Sequence, residues 1–185
     1  EDIKTLLRAG ADKVAINTAA TRNPELITKA AKMFGSQCIV GSIEAKKISE
    51  DKWEAYIDNG REKTGLDAVE WAKKLVELGA GELLITSVDN EGTEKGYDIE
   101  LLKKIVPFVS VPVIACGGAG NFEDVEKCLN ETNCDAVSMA SILHYNKSTI
   151  AAIKAYLKNK NIPVRSHYVV KEEKNNLDPT KKTIS

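Results

Sequence analysis

Apolar and polar positions alternate in blocks along most of the chain. Short β-branched runs occur at Lys13–Ile16, Cys38–Ile43, Glu82–Thr86, Pro112–Ala115 and Ala136–Met139. Each is the length of a strand buried on both faces, and such strands need not alternate apolar with polar residues. Amphipathic stretches separate them. Leu66–Leu78 carries an apolar stripe at Leu66, Val69, Ala72, Leu75 and Val76 and stops at Gly79, which predicts a helix with a glycine just past its end. Asn23-Pro24-Glu25 predicts another helix start, with Asn as cap and Pro at the first helical position. Strand–helix repetition of this kind implies right-handed crossovers and a parallel sheet. The rhythm predicts one leading helix and then five strand–helix units, an α/β fold. It breaks at Ser49–Arg61, where an aromatic, polar stretch ending in Asp58-Asn59-Gly60 predicts a small hairpin or ordered loop. Lys171–Ser185 has almost nothing apolar and reads as a solvated tail, so the expected organisation is one domain over 1–165 and a disordered tail over 166–185.

Length narrows the picture. With 185 residues the chain can bury a sizeable core, yet it is short of the roughly 250 residues of a complete (β/α)₈ barrel. It opens without Met on Glu1-Asp2-Ile3, inside what looks like a helix, so the N-terminus reads as a cut. Lys plus Arg (26) nearly balance Asp plus Glu (27), which leaves no strong net field to draw in nucleic acid or an anionic membrane. No apolar run approaches the ~18 residues of a membrane span, and no signal-peptide pattern is visible. The four cysteines form no C-x-x-C pair; for Cys38, Cys116 and Cys134, which sit in or beside apolar runs, buried free thiols are the expectation, against a metal site or disulfides, and this suits a reducing cytoplasm.

In parallel βα folds, reactive groups gather where strands end. The first strand ends on Asn17-Thr18, the second on Glu44, and the third on Thr86 followed by Asp89, Glu91 and Gly92. The fourth ends on Cys116-Gly117-Gly118, the fifth on Ala140-Ser141. Glycine-freed N–H groups at Gly117 and Gly118, before a helix starting near Phe122, make a phosphate site, which Ala140 and Ser141 at the next strand end complete. The alternative is an ordinary tight turn. Glu44 follows an apolar strand directly and is a candidate for proton transfer, against a surface glutamate paired with Lys46 or Lys47. Asp89 and Glu91 sit in a glycine-containing loop, where turn formation is the plainer role. His144 and His167 attract no catalytic role, nothing has metal-ligand spacing, and no cofactor is called for. Gly10–Ala19 and Asn133–Ile142 also echo each other, as two halves of a repeated barrel with an anion site in each would, or as two buried strands do by chance.

Several segments carry a family resemblance. Gly10–Ala20, Phe34–Gln37, Thr64–Ala72, Leu78–Ser87, Gly92-Thr93, Gly96-Tyr97-Asp98 and Cys116–Gly120 resemble the cyclase subunit of imidazole glycerol phosphate synthase, the HisF family, in register to about Arg165. The resemblance implies a TIM-barrel (β/α)₈ fold, here an incomplete barrel of about five βα units lacking the first three strands. It implies ammonia supplied by a HisH-like glutamine amidotransferase subunit and a bis-phosphorylated ribotide as substrate. The products would be imidazole glycerol phosphate and the ribotide AICAR, made in the cytoplasm. Carried over by position, Asn17 and Thr18 would hold one phosphate, and Gly92, Gly117, Gly118, Ala140 and Ser141 the other. Thr86, Asp89 and Glu91 would line the substrate loop, Glu44 would take a catalytic aspartate's place, and Lys13 and Glu82 would gate ammonia. The chain departs from the family pattern at Glu44, at Asn90-Glu91 and at Cys116. Those changes leave open a HisF-like paralogue that delivers ammonia to a nucleotide-linked acetamido sugar, or an inactive barrel fragment.

Overall fold

A computed structural model describes residues 1–165; the expected tail at 166–185 lies outside the described residues. Helix α1 (Asp2–Arg8) leads into strand β1 (Val14–Ile16), then α2 (Thr18–Arg22) and α3 (Glu25–Phe34). Strands β2 (Ile39–Ser49), β3 (Lys52–Ile57) and β4 (Glu62–Asp67) follow, then α4 (Ala68–Glu77). The chain continues through β5 (Glu82–Ser87), α5 (Ile99–Ile105), β6 (Val113–Cys116), α6 (Phe122–Thr132), β7 (Ala136–Ser138), α7 (Ser141–His144) and α8 (Ile150–Asn159).

All seven strands form one mixed sheet. Five of them, β1, β2, β5, β6 and β7, are parallel neighbours in chain order, as the block pattern predicts. Strand β2 has two partners along one edge. Its first residues, Ile39–Gly41, pair with β1, and its continuation from Glu44 to Ser49 pairs antiparallel with β3. The interruption expected at Ser49–Arg61 is therefore a hairpin, but a larger one, since β4 returns along β3 as far as Asp67.

One helix boundary differs from the sequence expectation, and one expected cap does not form while its proline sits as predicted. Helix α4 begins at Ala68 because the Asp67 carboxylate accepts the N–H groups of Val69 (2.9 Å) and Glu70 (3.1 Å) as its cap. Leu66, expected on the buried stripe, belongs to β4 and is exposed. At α3 the Asn23 side chain makes no capping bond, and Pro24 is already helical at φ −56° and ψ −32°. His144 ends the short α7, and α8 starts at Ile150.

The sheet has two unlike faces. Ile39, Ile43, Leu83, Ile85 and Val113 are fully buried, with Ile27, Leu75, Leu101, Ile105 and Val125 of the helices in the same core. Gly41 lies on that face too. A Cβ there would sit 3.0 Å from the side chains of Leu75 and Leu83, so glycine is what lets α4 approach. Strand alternation then sends Ser42, Glu44 and Lys46 to the other face. Parallel register sets Glu44 beside Thr86, Thr86 beside Cys116 and Cys116 beside Ser138. Tyr56 flanks Glu44 from the hairpin. The result is a row across the sheet at the carboxyl ends of the strands.

Candidate functional site

At the hairpin end of the row, three polar side chains hold the β3–β4 hairpin, two of them at its tip Asp58-Asn59-Gly60. The Glu44 carboxylate accepts the Gly60 N–H at 2.8 Å, and the Thr18 hydroxyl accepts the Asp58 N–H at 3.1 Å. The Asn17 amide donates to the Tyr56 carbonyl at 3.2 Å. All three tip residues have positive φ, and a Cβ on Gly60 would meet the Val88 side chain at 3.0 Å. The hairpin is anchored at its base as well. The buried Trp53 indole donates to Asp98 at 2.8 Å, while the other Asp98 oxygen caps α5 through the Leu101 N–H. The alternative considered for Glu44, an ion pair with Lys46 or Lys47, does not form. Those lysines lie over the Tyr56 and Trp53 rings instead, 5.6 and 5.1 Å from the centroids.

At the other end the site is built from backbone. Gly118 has φ +105°, and a Cβ there would lie 2.1 Å from the Gly96 carbonyl oxygen. In return the Gly96 N–H donates to the Gly118 carbonyl at 2.7 Å. Gly117, at φ +93°, is similarly close to the Ser87 carbonyl. Both are buried. The helix start that follows is not open to an external anion in the way the sequence implies. Asp124 accepts the N–H groups of Gly120 (2.9 Å) and Asn121 (3.2 Å), while Asn121 caps Asp124, a reciprocal capping box. The negative charge favoured at the N-terminus of α6 is thus supplied from within. Ala140 and Ser141 stand at the neighbouring strand end, exposed and half-buried respectively, where α7 begins.

Between the two ends lies the loop after β5. Thr86 is buried within the row. Asp89 is exposed but accepts the Lys47 N–H at 2.7 Å, and Glu91 is exposed. The Asn90 amide donates to the Gly96 carbonyl at 2.8 Å, and a Glu94–Lys147 ion pair ties the loop to the segment after α7. Gly92, at φ +73°, faces open space. Tyr97, at the loop's end, is buried and donates its hydroxyl to the Ser138 carbonyl at 3.0 Å, under the end of the row. Burial, then the neighbouring Cys128, Cys116 and Cys134 thiols, raise its pKa, which holds the phenol neutral. The sequence alone assigns no role to Lys46, Gly60 or Tyr97, although Tyr97 lies inside one of the segments that carry the family resemblance.

Lys13 and Glu82 meet at the opposite, amino ends of the strands. They form an ion pair across β2, whose Val40 is flanked by Ala15 and Glu82. Mutual pairing accounts for two charged residues opening buried strands. Cys38 and Cys116 are half-buried and Cys128 and Cys134 buried, all as free thiols. Among the described residues no three His, Cys, Asp or Glu side chains converge as a metal would need, and no helix is long and apolar enough to cross a membrane.

The family model for "Histidine biosynthesis protein" matches residues 1–149. Among curated relatives, the "Imidazole glycerol phosphate synthase subunit HisF" of Bacillus cereus strain Q1 is 53% identical over 165 residues, which is 89% of this chain and 66% of the relative. The protein of the same name from strain G9842 is 51% identical over the same shares. The chain thus spans just under two thirds of the length of these relatives.

Proposed function

The chain belongs to the histidine biosynthesis protein family, and on that premise we propose that it forms the main part of an imidazole glycerol phosphate synthase cyclase. Such a protein uses ammonia from a glutamine amidotransferase subunit to convert the bis-phosphorylated ribotide PRFAR into imidazole glycerol phosphate and AICAR, in the cytoplasm. One observation supports this most: a carboxylate, Glu44, stands in a row at the carboxyl ends of the strands, with Asn17 and Thr18 at one end and Gly117 and Gly118 at the other. A substrate with a phosphate at each terminus matches a site with two ends.

In this reading Asn17 and Thr18 bind one phosphate. Gly92, Gly117, Gly118, Ala140 and Ser141 bind the other through backbone N–H groups and the Ser141 hydroxyl. Glu44 transfers protons at the substrate's centre, with its carboxylate oriented by the Gly60 N–H. Thr86, Asp89 and Glu91 face the substrate from the loop after β5. Ammonia enters at the Lys13–Glu82 pair and crosses to Glu44 along the face that carries Ser42 and Leu84. We read the five parallel strands as the last five of an eight-stranded barrel, with residues 1–165 as its domain.

The test joins the N-terminal third of a Bacillus cereus relative to this chain and supplies the ribotide with ammonium salt. Release of AICAR that disappears in Glu44→Gln is the expected result. A folded chimera that binds the ribotide and releases nothing would exclude the histidine reaction. It would redirect the site, with its Glu44 and Asn90-Glu91 departures, to a nucleotide-linked acetamido sugar.

A further inference from the structure

The last turn of α6 and the segment entering β7 bring two cysteines together. Cys128 and Cys134 are both buried, with their sulfurs 3.7 Å apart. Thr132 fixes the turn between them: its hydroxyl donates to the Cys128 carbonyl at 2.7 Å and accepts the Cys134 N–H at 3.3 Å. Asn133 then reverses the chain in the left-handed region, at φ +56°. Bonding the sulfurs needs a closure of only about 1.7 Å, from 3.7 Å to the usual disulfide length, within reach of side-chain rotation. Two thiols alone do not complete the four-ligand site that zinc prefers. Cys38 and Cys116 have no such partner.

We propose that Cys128 and Cys134 form a dithiol site that a small-molecule disulfide oxidises to an intramolecular cross-link. The two thiols lose two protons and two electrons as the S–S bond forms, and the oxidant's own S–S bond is reduced to two thiols. Cys134 reacts first. It is flanked by exposed Asn133 and Asp135, so a small local opening uncovers it, whereas Cys128 lies inside the helix packing. The contact between the two sulfurs also lowers the Cys134 pKa and raises that of Cys128, which favours the thiolate on Cys134. Cys128 then displaces the bound half of the oxidant. The cross-link ties α6 to β7, the strand that carries Ser138 into the row.

The chain as it stands suffices for the experiment. The folded protein is incubated with glutathione disulfide, then its intact mass, titratable thiols and peptide map are measured. The expected result is a mass loss of about 2 Da, a fall from four titratable thiols to two, and a linked Cys128–Cys134 peptide. Cys38→Ser/Cys116→Ser should behave identically, and Cys128→Ser should keep a glutathione on Cys134. Four titratable thiols after exposure, or a cross-link through Cys38 or Cys116, would overturn the proposal.

Discussion

At the Asn17–Thr18 end of the row, side chains reach out to hold a hairpin tip, whereas at the Gly117–Gly118 end backbone lies directly on backbone. The first end is assembled from replaceable parts. Its hydrogen bonds come from an amide, a hydroxyl and a carboxylate, each removable without disturbing the sheet beneath. The second end is continuous with the fold, because the Gly118 carbonyl and the Gly96 N–H are themselves the contact. In the proposed reading, ligand binding and stability therefore separate at the hairpin end and coincide at the glycine end. A backbone cradle is rigid before any ligand arrives, which suits recognition of a fixed anion. A side-chain cradle is where specificity can change between relatives.

Substitutions at the two ends should differ accordingly. Gly118→Ala is expected to have the largest effect, with about 2–4 kcal/mol of stability lost in urea unfolding, since the new Cβ meets a carbonyl oxygen in a left-handed backbone. Gly92→Ala sharpens the point. It has a similar φ but open space around it, so only the backbone term remains, about 1 kcal/mol. Equal losses in the two variants would show that the contact with the Gly96 carbonyl adds nothing. Thr18→Val, at the side-chain end, should cost about 0.5–1.5 kcal/mol in the same assay, from one hydrogen bond to a solvent-accessible N–H. It should weaken phosphate binding far more than it weakens the fold.

The smallest effect concerns the helix under the glycine end. Tyr156 of α8 donates to Glu126 of α6 at 2.6 Å, and that bond, with Lys160 beside it, lowers the Glu126 pKa. A lowered carboxyl pKa stabilises the fold above its unfolded value and is lost as pH falls through the folded one. Tyr156→Phe should therefore reduce Tm slightly at neutral pH and leave it unchanged in acid, below both pKa values. An unchanged deficit in acid would assign the loss to packing against Phe122 instead.

The parallel strands were legible because buried strands write themselves as unbroken apolar runs, and Lys13–Ile16 through Ala136–Met139 match β1 to β7 within a residue or two, apart from the longer β2. Leu66 was misplaced because its spacing fits the helical stripe, while the Asp67 cap that decides the boundary competes one residue later. The hairpin tip's docking on Thr18 and Glu44 was not legible, since it depends on how far β2 continues past the end of β1. Nor was the self-capping of α6 anticipated, although Asn121 and Asp124 have the spacing for it. Cys128 and Cys134 lack a C-x-x-C spacing and meet only because a left-handed Asn133 folds the chain back.

Phosphate titration of this chain, followed residue by residue through its backbone amide resonances, tests the two-ended site most directly. Saturable shifts are expected at Asn17 and Thr18 and at Gly117, Gly118 and Ser141, with one bis-phosphorylated ribotide displacing phosphate from both ends at once. Shifts confined to one end, or centred on the surface lysines away from the row, would contradict it.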